Sequence, residues 1–228
     1  MHRFKWIAIA AAVLCAAGGW WLAHRHSQQG LLAQASYRVL RQHEPEAWSR
    51  VEAAYRRMEE TPAARAEFIN IANAEFSAAA TRRLATASAP AKLALMRDFV
   101  ANLKLLRAGQ KDSCFRYLYP EVAGSADVAR EIDANAQART LALTSEVIRT
   151  SAEEPSAAAS PEAAAQKLAP VVDAVYAQFG ADTQMLAHPR EPAVDRRKIC
   201  DIAISLYERI LALPEADAAL VFTAVAAP

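Results

Sequence analysis

Glycine is scarce in this chain, with six residues in 228, and runs of β-branched residues are nearly absent. Sheet proteins rely on β-branched strands joined by glycine-containing turns, so this composition argues against a β-rich fold. Alanine, the residue with the highest helix propensity, is used heavily instead. The chain is 54% apolar, which is enough to bury a substantial core. These features predict an all-α protein.

An excess of basic charge is also missing. The net charge of +1 is owed to the first 26 residues, which hold Arg3, Lys5 and Arg25 and no acids. Of the 26 cationic side chains, 23 remain in the rest of the chain, where they face 25 acidic ones. Nucleic-acid binding depends on a field of positive charge. We therefore expect no nucleic-acid partner.

Local motifs for catalysis and metal binding are absent as well. The sequence contains no CxxC, HExxH, GxSxG or CxxCH, and no glycine-rich loop of the kind that binds phosphate. His24 and His26 form an HxH pair, but no third ligand accompanies them. We expect no metal site, no cofactor and no enzymatic activity.

A long apolar run stands near the N-terminus. From Trp6 to Ala23 the chain carries no charged residue for 18 positions, and a helix of that length spans about 27 Å, close to the thickness of a bilayer core. Arg3 and Lys5 precede the run, so the positive-inside rule places the N-terminus in the cytoplasm. Residues 1–27 are thus predicted to be a single-pass inner-membrane anchor with the following domain in the periplasm of a Gram-negative bacterium.

Two other interpretations of this segment stay open. Small residues near CAA and AGG would suit a cleavable signal peptide, although the apolar run continues past them through Trp20 and Trp21. Alternatively, Cys15 would be the acylated residue of a lipoprotein, but the bulky Leu14 stands where such signals need a small residue. The retained anchor accounts best for the full length of the run.

Helical periodicity continues from residue 28 to 228, and several of the predicted helices begin at proline or at serine or threonine before proline. In the stretch after Pro45, apolar residues recur at spacings of three and four, which is typical of a buried helix face. These residues are Trp48, Val51, Tyr55 and Met58. No repeat of fixed period appears, so the pattern predicts one domain built as an irregular helical bundle.

The stretch EEPSAAASPE near 153–162 has the composition of a linker. Ser160–Pro161 is a helix start signal, and Gly180 is expected to end the helix that follows. Pro170 lies inside this pattern and predicts a kink or a restart. The inward positions of this helix are predicted to be Leu168, Val172, Val175 and Phe179.

Cys114 and Cys200 are the cysteines beyond the apolar run. An even pair in an exported domain usually forms a disulfide, and both residues lie among predicted core positions. A bridge between them would tie the helices on the two sides of the linker into one domain. The alternatives are two free buried thiols, a catalytic thiol served by His43 or His188, and a metal ligand pair; no local motif supports the last two.

The segment KDSCFRYLYP at 111–120 combines aromatic residues with an arginine around Cys114. Aromatic residues and arginine are enriched at binding hot spots, and a disulfide would hold the turn rigid. Phe115, Arg116, Tyr117 and Tyr119 are therefore candidate partner-binding residues. The competing interpretation is that the aromatic side chains pack in the core.

These observations together favour an anchored periplasmic protein–protein interaction module. It would serve either as an accessory subunit of an envelope or secretion assembly or as an immunity protein against a delivered effector. A self-associating structural protein is a further option. The alternative of a different class is an envelope hydrolase or redox protein whose catalytic residues are dispersed along the chain.

Overall fold

The computed structural model describes residues 30–109, 112–124, 131–157 and 160–226. Within these ranges the regular secondary structure is helical, and no β-strand occurs. The prediction of an all-α fold is confirmed.

The helices of the described ranges vary in length from four to 22 residues. Their bounds are α1 Ala35–His43, α2 Pro45–Arg57, α3 Pro62–Arg83, α4 Ala89–Ala108, α5 Ser113–Leu118, α6 Pro120–Ala123, α7 Ala134–Glu153, α8 Pro161–Phe179, α9 Arg196–Leu211 and α10 Glu215–Val225. Short 3₁₀ segments at Leu84–Thr86 and Gly180–Leu186 continue α3 and α8.

None of these helices, within the part of the chain that the structure describes, has the length and apolar character needed to cross a membrane. The apolar run at 6–23 and the whole predicted anchor at 1–27 lie outside the described residues.

Side-chain caps fix where several helices begin. An oxygen of the Asp195 carboxylate accepts the backbone N–H groups of Arg197 and Lys198, both at 3.0 Å, and so opens α9. Ser160 caps α8 in the same way through the N–H of Ala163. Such caps satisfy amide groups that have no partner within the helix.

The chain divides into two compact units, and the boundary between Phe76 and Ser77 falls inside α3. The sequence had suggested one domain from 28 to 228 with a weak point near 153–162. The division lies elsewhere because the helices on both sides of that linker pack into the same second unit, where α4 contacts α7, α9 and α10.

Aromatic residues hold the first unit together. Tyr37 of α1 is buried and meets the ring of Phe76 edge-on, with 5.4 Å between the ring centroids. Phe68 packs edge-on against Tyr55 at 5.3 Å. Burial raises the pKa of the Tyr37 hydroxyl. At the surface, the Arg50 guanidinium forms an ion pair with Glu75.

The second unit is organised around α4, which carries the buried residues Leu103 and Leu106. Ile199 of α9 and Phe115 of α5 pack into the same cluster. The helix α8 packs against α9 and α10. Apolar area removed from water at such contacts stabilises the fold by roughly 25 cal/mol per Å².

The predicted linker coincides with the interval between α7, which ends at Glu153, and α8, which begins at Pro161. Residues 153–157 are exposed. The N–H of Ser156 donates to the carbonyl of Thr86 at 2.8 Å, so the start of this segment is fixed to the body of the second unit.

The helix α8 runs without interruption through Pro170, contrary to the predicted restart. A proline leaves the carbonyl four residues earlier without its helical donor. That carbonyl belongs to Gln166. Both Gln166 and Pro170 lie on the exposed side of the helix, where water can donate a hydrogen bond to the carbonyl. Gly180 ends α8 as predicted, with a positive φ of 58° that favours glycine.

Candidate functional site

Cys114 and Cys200 come together in the second unit. Their Cα atoms are 6.1 Å apart and their sulfur atoms are joined in a disulfide. Both residues are almost completely buried, at 2% and 1% exposure, in the cluster around Leu103 and Leu106. The position of this pair makes it a structural link between α5 and α9 and keeps it away from solvent reagents.

Phe115, the first of the candidate partner-binding residues, is fully buried at 0% exposure. The guanidinium of Arg196 lies over its ring, 4.9 Å from the centroid, and also forms an ion pair with Asp112 at 2.9 Å. Phe115 therefore belongs to the core and has no surface to offer a partner. Its placement agrees with the packing interpretation of this segment.

Arg116 follows on the half-buried side of α5. Its Nε donates to the carbonyl of Gly124 at 3.1 Å, which links α5 to the end of α6. Gly124 has a φ of 70°, a conformation that favours glycine. The short hydrogen-bonded turn between the two residues explains why Arg116 lies along the body of the second unit.

Tyr117 and Tyr119 are half-buried. The ring of Tyr117 stacks on that of Phe99, with 5.7 Å between the centroids. The pKa of the Tyr117 hydroxyl is raised, because burial raises it more than a hydrogen bond with Asn102 lowers it. The hydroxyl of Tyr119 donates to the carbonyl of Leu186 at 3.1 Å. Both side chains are engaged within the unit, and a partner-binding role for Arg116, Tyr117 and Tyr119 stays a prediction.

A buried carboxylate lies between α4 and α7. Asp98 is 5% exposed, and it accepts from Arg139 Nε at 2.5 Å and from the Thr140 hydroxyl at 2.5 Å. Asn102 donates to the same carboxylate at 3.3 Å and to Thr140 at 3.2 Å. With its acceptor sites occupied by protein donors, Asp98 is suited to holding two helices in register rather than to proton transfer.

Lys92 is a buried cation of the second unit, at 6% exposure. Its Nζ donates to the carbonyl of Ala85 at 3.0 Å. Burial lowers the pKa of this ammonium group, because the charged form is poorly solvated there. The arrangement fastens α4 to the 3₁₀ segment that precedes it.

Histidine, cysteine and acidic side chains are the residues that most often hold a metal ion. In the ranges that the structure describes, no three of these side chains come close enough to hold an ion. His188 is exposed and lies 3.9 Å from Glu191, while His43 is half-buried.

An open groove runs between α8 and α9. Its charged and polar groups are already engaged within the unit: Asp201 accepts two hydrogen bonds from Arg107, at 2.7 and 2.8 Å, and Glu208 pairs with Lys104. Arg209 donates to Gln178 at 3.0 Å. These partners make the groove a seam between packed helices.

The outward face of α8 is different in character. Val172 and Tyr176 are 48% and 56% exposed, although both are large and apolar. Ala165 and Ala169 are exposed on the same face. We call these four residues the α8 stripe. Apolar side chains that gather on one exposed helix face are typical of a binding surface.

Comparison of the chain with protein-family models, with curated proteins and with solved structures finds no match.

The α8 stripe was missed at the level of sequence, which placed Val172 inward together with Leu168, Val175 and Phe179. In the structure Val175 is buried, Leu168 and Phe179 are half-buried and Val172 faces out. The signal was present: residues 165, 169, 172 and 176 form a second apolar row at spacings of four, three and four. When a helix has two apolar faces, only one of them packs in the core of its unit, and the other is left exposed.

Proposed function

We propose that this chain is an inner-membrane-anchored, periplasmic protein–protein interaction module. It acts either as an accessory subunit of an envelope assembly or as an immunity protein that occupies a delivered effector. The apolar run at 6–23 supports the anchor, and the cysteine pair supports an oxidising compartment.

The observation that carries the binding role is the exposure of Val172 and Tyr176 on a single helix face. Exposing these side chains to water costs free energy that a partner would recover on binding. Tyrosine is among the residues that most often dominate binding energy, because its ring buries a large area at a small cost in conformational entropy.

The test is site-specific photocrosslinking of the full chain in its native host. A photoreactive phenylalanine analogue replaces Tyr176 in one strain and Leu105 in a second. Leu105 is the matched control, because it is exposed to a comparable degree, 47%, but lies on α4. The expected result is one reproducible adduct with another protein at position 176 and none at position 105.

Identity of the crosslinked protein separates the two roles: an envelope-assembly component indicates a subunit, and a toxic effector indicates immunity. Equal labelling at both positions, or no adduct at either, would overturn the binding role of this face. Protease added to spheroplasts tests the compartment in parallel, since a periplasmic domain is digested while cytoplasmic markers survive.

A further inference from the structure

The α8 stripe has the spacing of a coiled-coil seam. Successive residues of the stripe are separated by four, three and four positions. This is the spacing of coiled-coil residues that pack as knobs into the holes of a second helix. From Ala165 to Tyr176 the stripe extends roughly 17 Å along the helix axis. A partner helix of about three turns would cover it.

The two edges of the stripe differ. On one edge Val175 is buried and Leu168 is half-buried, so this edge is turned towards the body of the second unit. On the other edge Gln166 and Asp173 are exposed. Residues on this open edge can contact the side chains that flank the apolar seam of a partner helix.

Negative charge marks this open edge. Asp173 is exposed and makes no side-chain hydrogen bond or ion pair with the described residues. Glu162, one turn from the end of the stripe, accepts a hydrogen bond from Ser160 at 2.5 Å, and this bond lowers the pKa of its carboxyl group. The nearby cation Lys167 already pairs with Asp217 of α10 at 2.9 Å.

We propose that the α8 stripe binds an amphipathic helix of another protein whose apolar seam is flanked by lysine or arginine. This inference rests on the proposed binding function and adds the chemistry of the partner. Residues that flank a coiled-coil seam select partners by charge, so an acidic edge favours a basic helix. In this proposal the Asp173 carboxylate forms the ion pair with a lysine or arginine of the partner helix.

A second copy of the chain is the poorer occupant. An antiparallel copy on this face would be related by a two-fold axis, which sets the open edges of the two stripes side by side and places Asp173 of each copy near Gln166 of the other. An acidic edge that meets a second acidic edge provides no cation for Asp173, so this arrangement gains nothing from charge. A parallel copy would need the opposite edge, which is closed by Leu168 and Val175.

Two synthetic helical peptides serve as probes. They share one leucine–alanine seam and differ only in the flanking positions, which are lysine in one and glutamate in the other. Binding to the detergent-solubilised full chain is measured by fluorescence anisotropy. The lysine peptide is expected to bind about three- to tenfold more tightly, and the difference shrinks as salt is added.

Variants of the chain assign the effect to the stripe. The double variant Val172→Ser/Tyr176→Ala is expected to weaken the lysine peptide by at least about tenfold. Leu105→Ser is the matched control and leaves binding unchanged. Asp173→Lys is expected to reverse the preference between the two peptides. All four positions substituted here are exposed, and circular dichroism checks that the variants stay folded.

Equal binding of the two peptides, or a preference that survives Asp173→Lys, would overturn the inference. So would concentration-dependent dimers abolished by Tyr176→Ala, because a second copy would then be the occupant. A partner crosslinked at position 176 together with equal peptide binding would defeat only the charge assignment. Absence of any adduct at position 176 would contradict the binding function itself.

Discussion

Asp98 is almost inaccessible to solvent, yet its partner Arg139 keeps a side-chain exposure of 53%. Removing the carboxylate would therefore return the guanidinium to water and leave the Thr140 hydroxyl the carbonyl of Ala136, at 3.1 Å, but it would remove the acceptor of one N–H of the buried Asn102. A buried donor without a partner costs about 1–3 kcal/mol.

We expect Asp98→Ala to lower the free energy of unfolding by about 2 kcal/mol, measured by urea denaturation of the full chain. Lys104→Met is the control, since it removes one member of an exposed ion pair with Glu208. Such pairs contribute about 0–1 kcal/mol. If the two variants lost equal stability, the buried network would contribute no more than a surface pair.

At the scale of an element, α9 shows how a single cap governs a long helix. It begins at Arg196, directly after Asp195, and delivers Ile199 and Cys200 to the core three to four residues later. The carboxylate of Asp195 also lies at the positive end of the helix dipole. Fraying of this first turn would loosen the part of the helix that carries the disulfide.

We expect Asp195→Ala to cost about 1 kcal/mol of unfolding free energy, because the N–H groups of Arg197 and Lys198 lose their acceptor. Asp195→Ser and Asp195→Asn should lose much less, since both side chains keep an acceptor oxygen. Thermal unfolding of the three variants measures the order. An alanine variant as stable as the serine variant would contradict a capping role.

Element starts were predictable from sequence because their causes are local. Ser160–Pro161 opens α8 and Gly180 closes it, and neither signal depends on distant residues. The orientation of α8 was not predictable in the same way. Either of its apolar rows could have served the core, and only the position of α9 and α10 decides that Val175 is buried while Val172 is exposed.

The same limit applies to the candidate site. Composition singled out the segment 111–120, but the burial of Phe115 depends on Arg196 and Ile199, which come more than 80 residues later in the chain. The second apolar row at 165, 169, 172 and 176 was visible in the sequence from the start. Its meaning depended on knowing which face the rest of the unit covers.

At the scale of the whole molecule, the disulfide joins residues 86 positions apart. Closing a loop of that length reduces the entropy of the unfolded chain and stabilises the fold by about 4–5 kcal/mol at most. Net stabilities of domains are about 5–15 kcal/mol. The bond is thus a large fraction of what holds the second unit folded.

We expect the double variant Cys114→Ala/Cys200→Ala to lose several kcal/mol of unfolding free energy, on the order of 3–5. Urea denaturation measures the loss, and treatment of the parent chain with reductant under the same conditions should reproduce it. Cys15→Ala is the control and should leave stability unchanged. Thiols of Cys114 and Cys200 that react before reduction in denaturant would show that the bond is absent.

The bond also spans the exposed interval between α7 and α8. The N–H of Ser156 holds the beginning of that interval to Thr86, but residues 153–157 remain on the surface. A protease that cuts there would produce two fragments still joined through sulfur. The nicked molecule would migrate at full length on a non-reducing gel and separate only with reductant, so cleavage in this exposed interval would leave α8 and its stripe attached.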